Sequence, residues 1–97
     1  MTEVLYFIEQ KFRINGVTSY EWSEDARVSE RAVIADIASG EIETPSRILL
    51  VIPEEFSSCD VTADIAESIR EYFTDGVPDR LVDFVESNTA GFVRRAA

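Results

Sequence analysis

Residues 4–22 read VLYFIEQKFRINGVTSYEW, and the fold turns on how this stretch doubles back. Val4, Tyr6, Ile8, Phe12 and Ile14 recur on one face of an extended chain, which predicts a strand. Leu5 and Phe7 make its first half apolar on both faces. Asn15-Gly16 is a strong hairpin signal, and Thr18, Tyr20 and Trp22 mark the returning strand. Two registers compete. A two-residue Asn15-Gly16 loop pairs Ile14 with Val17 and places Tyr20 and Trp22 on the face of Lys11 and Glu9. A three-residue loop of Ile14-Asn15-Gly16, with Gly16 left-handed in a bulge, moves the two aromatics to the face of Ile8 and Phe12. Burying two large aromatic side chains favours the three-residue loop and makes Tyr20 and Trp22 expected core residues. With the two-residue loop they would instead form an exposed aromatic patch suited to a partner.

Working outward, a helix is predicted from about Ser29 to Ser39, with Ser29 as N-cap, Val33, Ile34 and Ile37 as its apolar stripe and Gly40 as its stop. The run Arg47-Ile48-Leu49-Leu50-Val51-Ile52, closed by Pro53, is apolar on both faces, as a doubly covered strand should be. Residues 54–59 read as a loop. A second helix is predicted from about Asp60 to Thr74, burying Val61, Ile65, Ile69, Tyr72 and Phe73. A third starts at Pro78 and buries Leu81, Val82 and Val85. The expected fold class is α+β, in the order ββαβαα. A three-stranded antiparallel sheet of order 2-1-3 is packed with three helices, distributed over both of its faces. One domain spans residues 1–97: hairpin, first helix and third strand in 1–53, two acidic helices in 54–90, and a basic tail in 91–97.

Composition bounds the chemistry. The 97 residues are 45% hydrophobic, enough for one core. No apolar run approaches the roughly 20 residues of a membrane span, and the N-terminus lacks the pattern of a signal peptide, so the expected location is cytoplasmic. Cys59 is the single cysteine and histidine is absent, which leaves no Cys/His zinc site and no base for a Ser-His or Cys-His nucleophile. Glu54-Glu55 near Asp60 offers oxygens to a divalent cation, without any EF-hand spacing. Neither catalytic residues nor a metal or cofactor are therefore expected. An enzyme using carboxylates alone needs paired acids in a concave pocket, and a convex acidic helix has the wrong shape. Cys59 precedes a helix N-terminus, where a thiol can become reactive, but without a neighbouring base it reads as an ordinary loop or core residue. Ser57 and Ser58 read as turn or capping residues.

The acid is concentrated. Of a net charge of -10, residues 54–86 hold ten acidic side chains against Arg70 and Arg80. Asp60, Asp64, Glu67, Glu71 and Asp75 recur at intervals of three or four, which predicts one stripe within an arc of roughly 80° opposite Val61, Ile65 and Ile69. Asp79, Asp83 and Glu86 repeat the pattern on the last helix. An outward acidic stripe is first a solvated face. As a functional surface, it spaces carboxylates about 5–6 Å apart over about 22 Å, near the phosphate interval of a nucleic-acid strand. A basic surface built to hold phosphates would then accept it.

The stretches Trp22…Ala26-Arg27…Arg31…Asp36-Ile37-Ala38-Ser39-Gly40-Glu41-Ile42 and Asp60-Val61-Thr62-Ala63-Asp64-Ile65-Ala66 resemble small proteins of alphaproteobacteria and their phages. In size, acidity and mixed α/β make-up the whole chain also resembles phage inhibitors such as anti-CRISPR proteins and other DNA mimics. That resemblance implies a non-enzymatic inhibitor whose acidic helices occupy the nucleic-acid channel of a host effector. The expected partner is a basic protein, bound through Asp60, Asp64, Glu67, Glu71, Asp75, Asp79, Asp83 and Glu86. Direct nucleic-acid binding is disfavoured by the overall field, and Arg94-Arg95 is too short a basic patch. The competing expectation is a small structural or regulatory interaction module, homodimeric or bound to a partner through an apolar surface, in which the stripe is dispensable.

Overall fold

A computed structural model describes residues 3–89 and contains eight elements. Strand β1 (Leu5–Ile14) turns into β2 (Val17–Trp22), followed by helix α1 (Glu30–Ser39), β3 (Pro45–Ile52), a 3-10 turn (Pro53–Glu55), β4 (Ser57–Asp60), α2 (Thr62–Tyr72) and α3 (Asp79–Asn88). The strands form one antiparallel sheet of order β2-β1-β3-β4. The α+β class and the 2-1-3 order of the first three strands match the sequence expectation. The basic tail expected at 91–97 lies outside the described residues.

Three features depart from expectation. The first is a fourth strand where a loop was predicted. Pro53 starts a tight turn, Phe56 takes a left-handed conformation at φ 51°, and the chain reverses so that Ser57 pairs with Ile52 and Asp60 with Leu49. Ser57-Ser58-Cys59-Asp60 has no apolar alternation, because one edge of β4 is unpaired within the sheet and all four residues are exposed. Cys59 therefore sits on an exposed edge strand instead of in a loop or the core.

The second is the hairpin register. Ile14 pairs with Val17 across a two-residue Asn15-Gly16 loop, both loop residues having positive φ (53° and 79°), the signature of a type I′ turn. Lys11 then faces Tyr20 and Glu9 faces Trp22, so the two aromatics leave the core face. The burial argument for the opposite register assumed a helix layer beneath the hairpin. Ile14 and Val17 at the tip are 64% and 65% exposed, so no apolar layer covers that end and the turn geometry decides.

The third is the placement of the helices. The core joins Val33 and Ile37 of α1, Ile65, Ala66 and Ile69 of α2, and Leu81, Phe84 and Val85 of α3 to Ile8 and Ile48, which are cross-strand partners on one face of the sheet. Tyr6, which shares that face, packs against the same cluster. All three helices thus lie on a single face, and among the described residues no helix covers the other. Tyr72, expected in the core, is 58% exposed, while Phe84 joins the core and Val82 is half-buried.

Local chemistry sets the element ends. Ser29 Oγ accepts from the Ala32 N–H (3.1 Å), and Gly40 at φ 93° closes α1. Beyond the end of β2, Ser23 and Arg27 continue along β1. The Ser23 N–H donates to Ile8 O (2.8 Å), and Tyr6 and Arg27 exchange backbone hydrogen bonds of 2.7 and 3.0 Å. The half-buried Arg27–Asp36 ion pair (2.8 Å) ties this segment to α1. At the irregularity between Glu9 and Gln10, the Gln10 side-chain carbonyl accepts from the N–H groups of Glu43 and Thr44 (3.1 and 3.2 Å), holding the approach to β3.

Candidate interaction surfaces

Strand alternation places Leu5, Phe7, Glu9, Lys11 and Arg13 of β1 on the face opposite the helices. Cross-strand pairing adds Thr18, Tyr20 and Trp22 of β2, Arg47, Leu49 and Val51 of β3, and Ser58 and Asp60 of β4. Leu5, Phe7, Leu49 and Val51 form the apolar centre, each half-buried by its neighbours in the sheet. None of them belongs to the core cluster. Tyr20 (54% exposed) and Trp22 (41%) extend that centre across β2. Charge lies around it, with Lys11, Arg13 and Arg47 against Glu9 and Asp60. An apolar, aromatic centre with a charged surround is the anatomy of an interface.

The helix layer carries the opposite character. Asp64, Glu67 and Glu71 of α2 fall within an arc of about 60°, turned away from Ile65, Ala66 and Ile69. Asp79, Asp83 and Glu86 do the same on α3, away from Leu81, Phe84 and Val85. The five-residue ladder expected on one helix is shorter in fact. Asp60 belongs to β4 and Asp75 to the turn after α2, leaving three acids over about 10 Å of helix. Arg70 also forks onto Glu67, with contacts of 2.7, 2.8 and 3.1 Å, although both side chains are largely exposed and the pair is weak.

Asp60 has structural duties. Its Oδ1 accepts from the Thr62 N–H (2.9 Å) and from the Thr62 hydroxyl, which in turn accepts from the Ile48 N–H (2.9 Å). The Thr62 hydroxyl, then the Thr62 amide and more weakly Arg47 at 3.7 Å, hold the Asp60 carboxyl below its ordinary pKa despite partial burial. This network starts α2 at Thr62, two residues later than the acidic periodicity suggests.

A cleft of about 410 Å³ opens between the hairpin and α3, with Lys11, Arg13, Arg80, Asp83 and Thr44 in its walls. Asp83 of α3 and Lys11 and Arg13 of the hairpin thus line one cleft at the edge of the sheet. Arg80 is committed elsewhere: its guanidinium donates to the carbonyls of Ile37 (2.6 Å), Ala38 (3.2 Å), Ile42 (3.2 Å) and Glu43 (3.1 Å). Among the described residues no group of three or more His, Cys, Asp or Glu side chains is placed to hold a metal ion, and no helix is long and apolar enough to cross a membrane.

Leu5, Phe7, Leu49 and Val51 were missed as a site because β3 and the first half of β1, apolar on both sides, read as strands covered on both sides. Tyr20 and Trp22 form the exposed patch expected under the two-residue Asn15-Gly16 loop, the register set aside in favour of burial. Comparison with protein-family models, with curated proteins and with solved structures returned no match.

Proposed function

We propose that this chain is a cytoplasmic, non-enzymatic interaction module that binds a protein through the open face of its sheet. The observation that carries this reading is the two-residue hairpin loop, which sets Trp22 opposite Glu9 and diagonal to Phe7, with Tyr20 next to it opposite Lys11, on the sheet face away from the described helices. Aromatic side chains around an aliphatic centre supply most of the binding energy in protein interfaces. The unpaired, exposed Cys59 suits a reducing compartment, and the absence of histidine removes the commonest general base.

A second reading keeps the acidic layer as the binding surface, in the manner of a phage inhibitor that fills a basic nucleic-acid-binding site on a host protein. The outward sets Asp64, Glu67, Glu71 and Asp79, Asp83, Glu86 favour it. The loss of Asp60 and Asp75 from the helical ladder, and the pairing of Glu67 with Arg70, weaken it.

A photo-crosslinking amino acid placed at Tyr20 in one variant and at Glu71 in another separates the two readings in cells. Adducts of defined mass from position 20 and none from position 71 are expected. Adducts from position 71 alone, lost at high salt, would replace the open-face reading with the acidic one.

A further inference from the structure

We infer that the occupant of the open sheet face is a second copy of this chain, packed sheet against sheet in a two-fold dimer; this rests on the open-face reading above. The first argument is charge. A chain of net charge -10 repels its own copies, and α2 and α3 turn Asp64, Glu67, Glu71, Asp79, Asp83 and Glu86 outward on the helix side. The open face differs, since it sets Arg47 beside Glu9 and Asp60, with Lys11 and Arg13 at the hairpin end where they also line the cleft beside α3. Two copies meeting on it offer each other both signs of charge and turn their acidic layers to opposite ends of the assembly. Stacked sheets lie about 10 Å apart, with a helix layer about 10 Å beyond each. The two acidic surfaces are then separated by nearly four Debye lengths of about 8 Å at physiological salt, and their repulsion is largely screened.

The second argument is area. Four strands at about 4.8 Å spacing, with six or seven residues each at about 3.3 Å, give a face of roughly 400 Å² in plan. Side-chain relief brings the accessible area to the order of 600 Å² per copy, so a pair buries about 1,200 Å², the lower edge of the range for stable interfaces. Leu5, Phe7, Leu49 and Val51 would form the dry centre, with Tyr20 and Trp22 at its β2 side. Two twisted sheets in aligned packing make such a sandwich, and a two-fold axis closes it without leaving a face open for further addition.

The test uses the full chain and its one tryptophan. Light scattering at about 100 µM protein should give twice the 10.9 kDa chain mass. Raising NaCl from about 50 mM to about 500 mM should leave the dimer intact or tighten it, because salt screens the acidic layers. On dilution the Trp22 emission should shift to the red as the dimer separates. The Tyr20→Glu/Trp22→Glu double variant should be monomeric at the same concentration with an unchanged far-ultraviolet circular dichroism spectrum. Should that pair unfold, Thr18→Lys on the same face takes its place and should weaken association at least tenfold. Asp64→Lys/Glu71→Lys should remain dimeric.

A wild-type mass of 10.9 kDa with concentration-independent Trp22 emission overturns the second-copy assignment. If the Tyr20-position crosslinker then captures a chain of another mass, the open-face reading stands with a different protein as occupant. If it captures nothing, both fall. Quenching of Trp22 by oligothymidylate in competition with dimerisation would instead assign the face to single-stranded nucleic acid, which its aromatic and cationic side chains could stack and pair.

Discussion

Arg80 looked in the sequence like a counter-ion for the acidic third of the chain. In the fold it points inward from the start of α3 and caps the end of α1, where four carbonyl groups converge on its guanidinium. Carbonyls at a helix C-terminus lack intrahelical partners, and a cation there also meets the negative end of the helix dipole. Arg80→Met should therefore cost about 2–4 kcal/mol in urea unfolding, since charged hydrogen bonds are lost and part-buried acceptors are stranded. Lysine should restore only a fraction, because a single ammonium cannot fork across the same carbonyls. Asp60 makes a prediction of the opposite kind. Its folded-state pKa lies below the ordinary 3.8, so its contribution is complete above that value and disappears as pH falls through the lower, folded-state value. Asp60→Asn keeps an acceptor for the Thr62 amide but cannot titrate. Between neutral pH and pH of about 3 its urea midpoint should fall less than that of the wild type, and equal acid sensitivity would remove Asp60 from the account.

The hairpin is the element on which the architecture depends. Gly16 sits at φ 79° with open space where a β-carbon would be, so Gly16→Ala meets no clash and its cost is that of the backbone alone. That cost is about 1–2 kcal/mol for a left-handed residue. Thermal denaturation of Gly16→Ala should show it, while Asn15→Gly should stay within about 0.5 kcal/mol of wild type. If Gly16→Ala were neutral, the tight turn would not be what fixes the register. Much at this scale was legible in the sequence: Ser29 and Gly40 bracket α1, Pro53 ends β3, and the apolar character of β1 and β3 made them neighbours. Two features were not. Ser57–Asp60 is a strand through pairing with β3, a non-local cause that leaves no local pattern. The register was misread because the gain from burying Tyr20 and Trp22 depends on a helix beneath them, and periodicity cannot show how far a helix layer reaches. The same gap hid the open face: a run apolar on both sides reports that both faces are shielded in some state, including one in which another molecule does the shielding.

At the scale of the whole molecule the chain is polarised, with acid over the helices and an apolar centre among mixed charges on the sheet. The site predicted from sequence survives only as part of that acid: the outward sets on α2 and α3 were readable from spacing, but Asp60 and Asp75 were not placed by it, since the helix begins and ends inside the acidic repeat. If the acid chiefly keeps the helix side soluble and unassociated, it should be a net cost to the isolated fold. Glu67 and Glu71 stand one helical turn apart, as do Asp79 and Asp83, and each such like-charged pair is unfavourable by about 0.2–0.5 kcal/mol. Glu71→Lys converts one repulsion into an attraction with Glu67, although Arg70 already holds Glu67 and will share it. The variant should therefore gain about 0.5 kcal/mol at low salt, and the gain should shrink as NaCl rises towards 0.5 M, where the Debye length falls to about 4 Å. Wild-type melting temperature should climb over the same range as self-repulsion is screened. A Glu71→Lys protein that is more stable, still dimeric and still crosslinked from position 20 would assign the acid to solvation and the sheet face to binding. A variant more stable but stripped of its interactions would show that the acidic layer is kept for a partner despite its cost to stability.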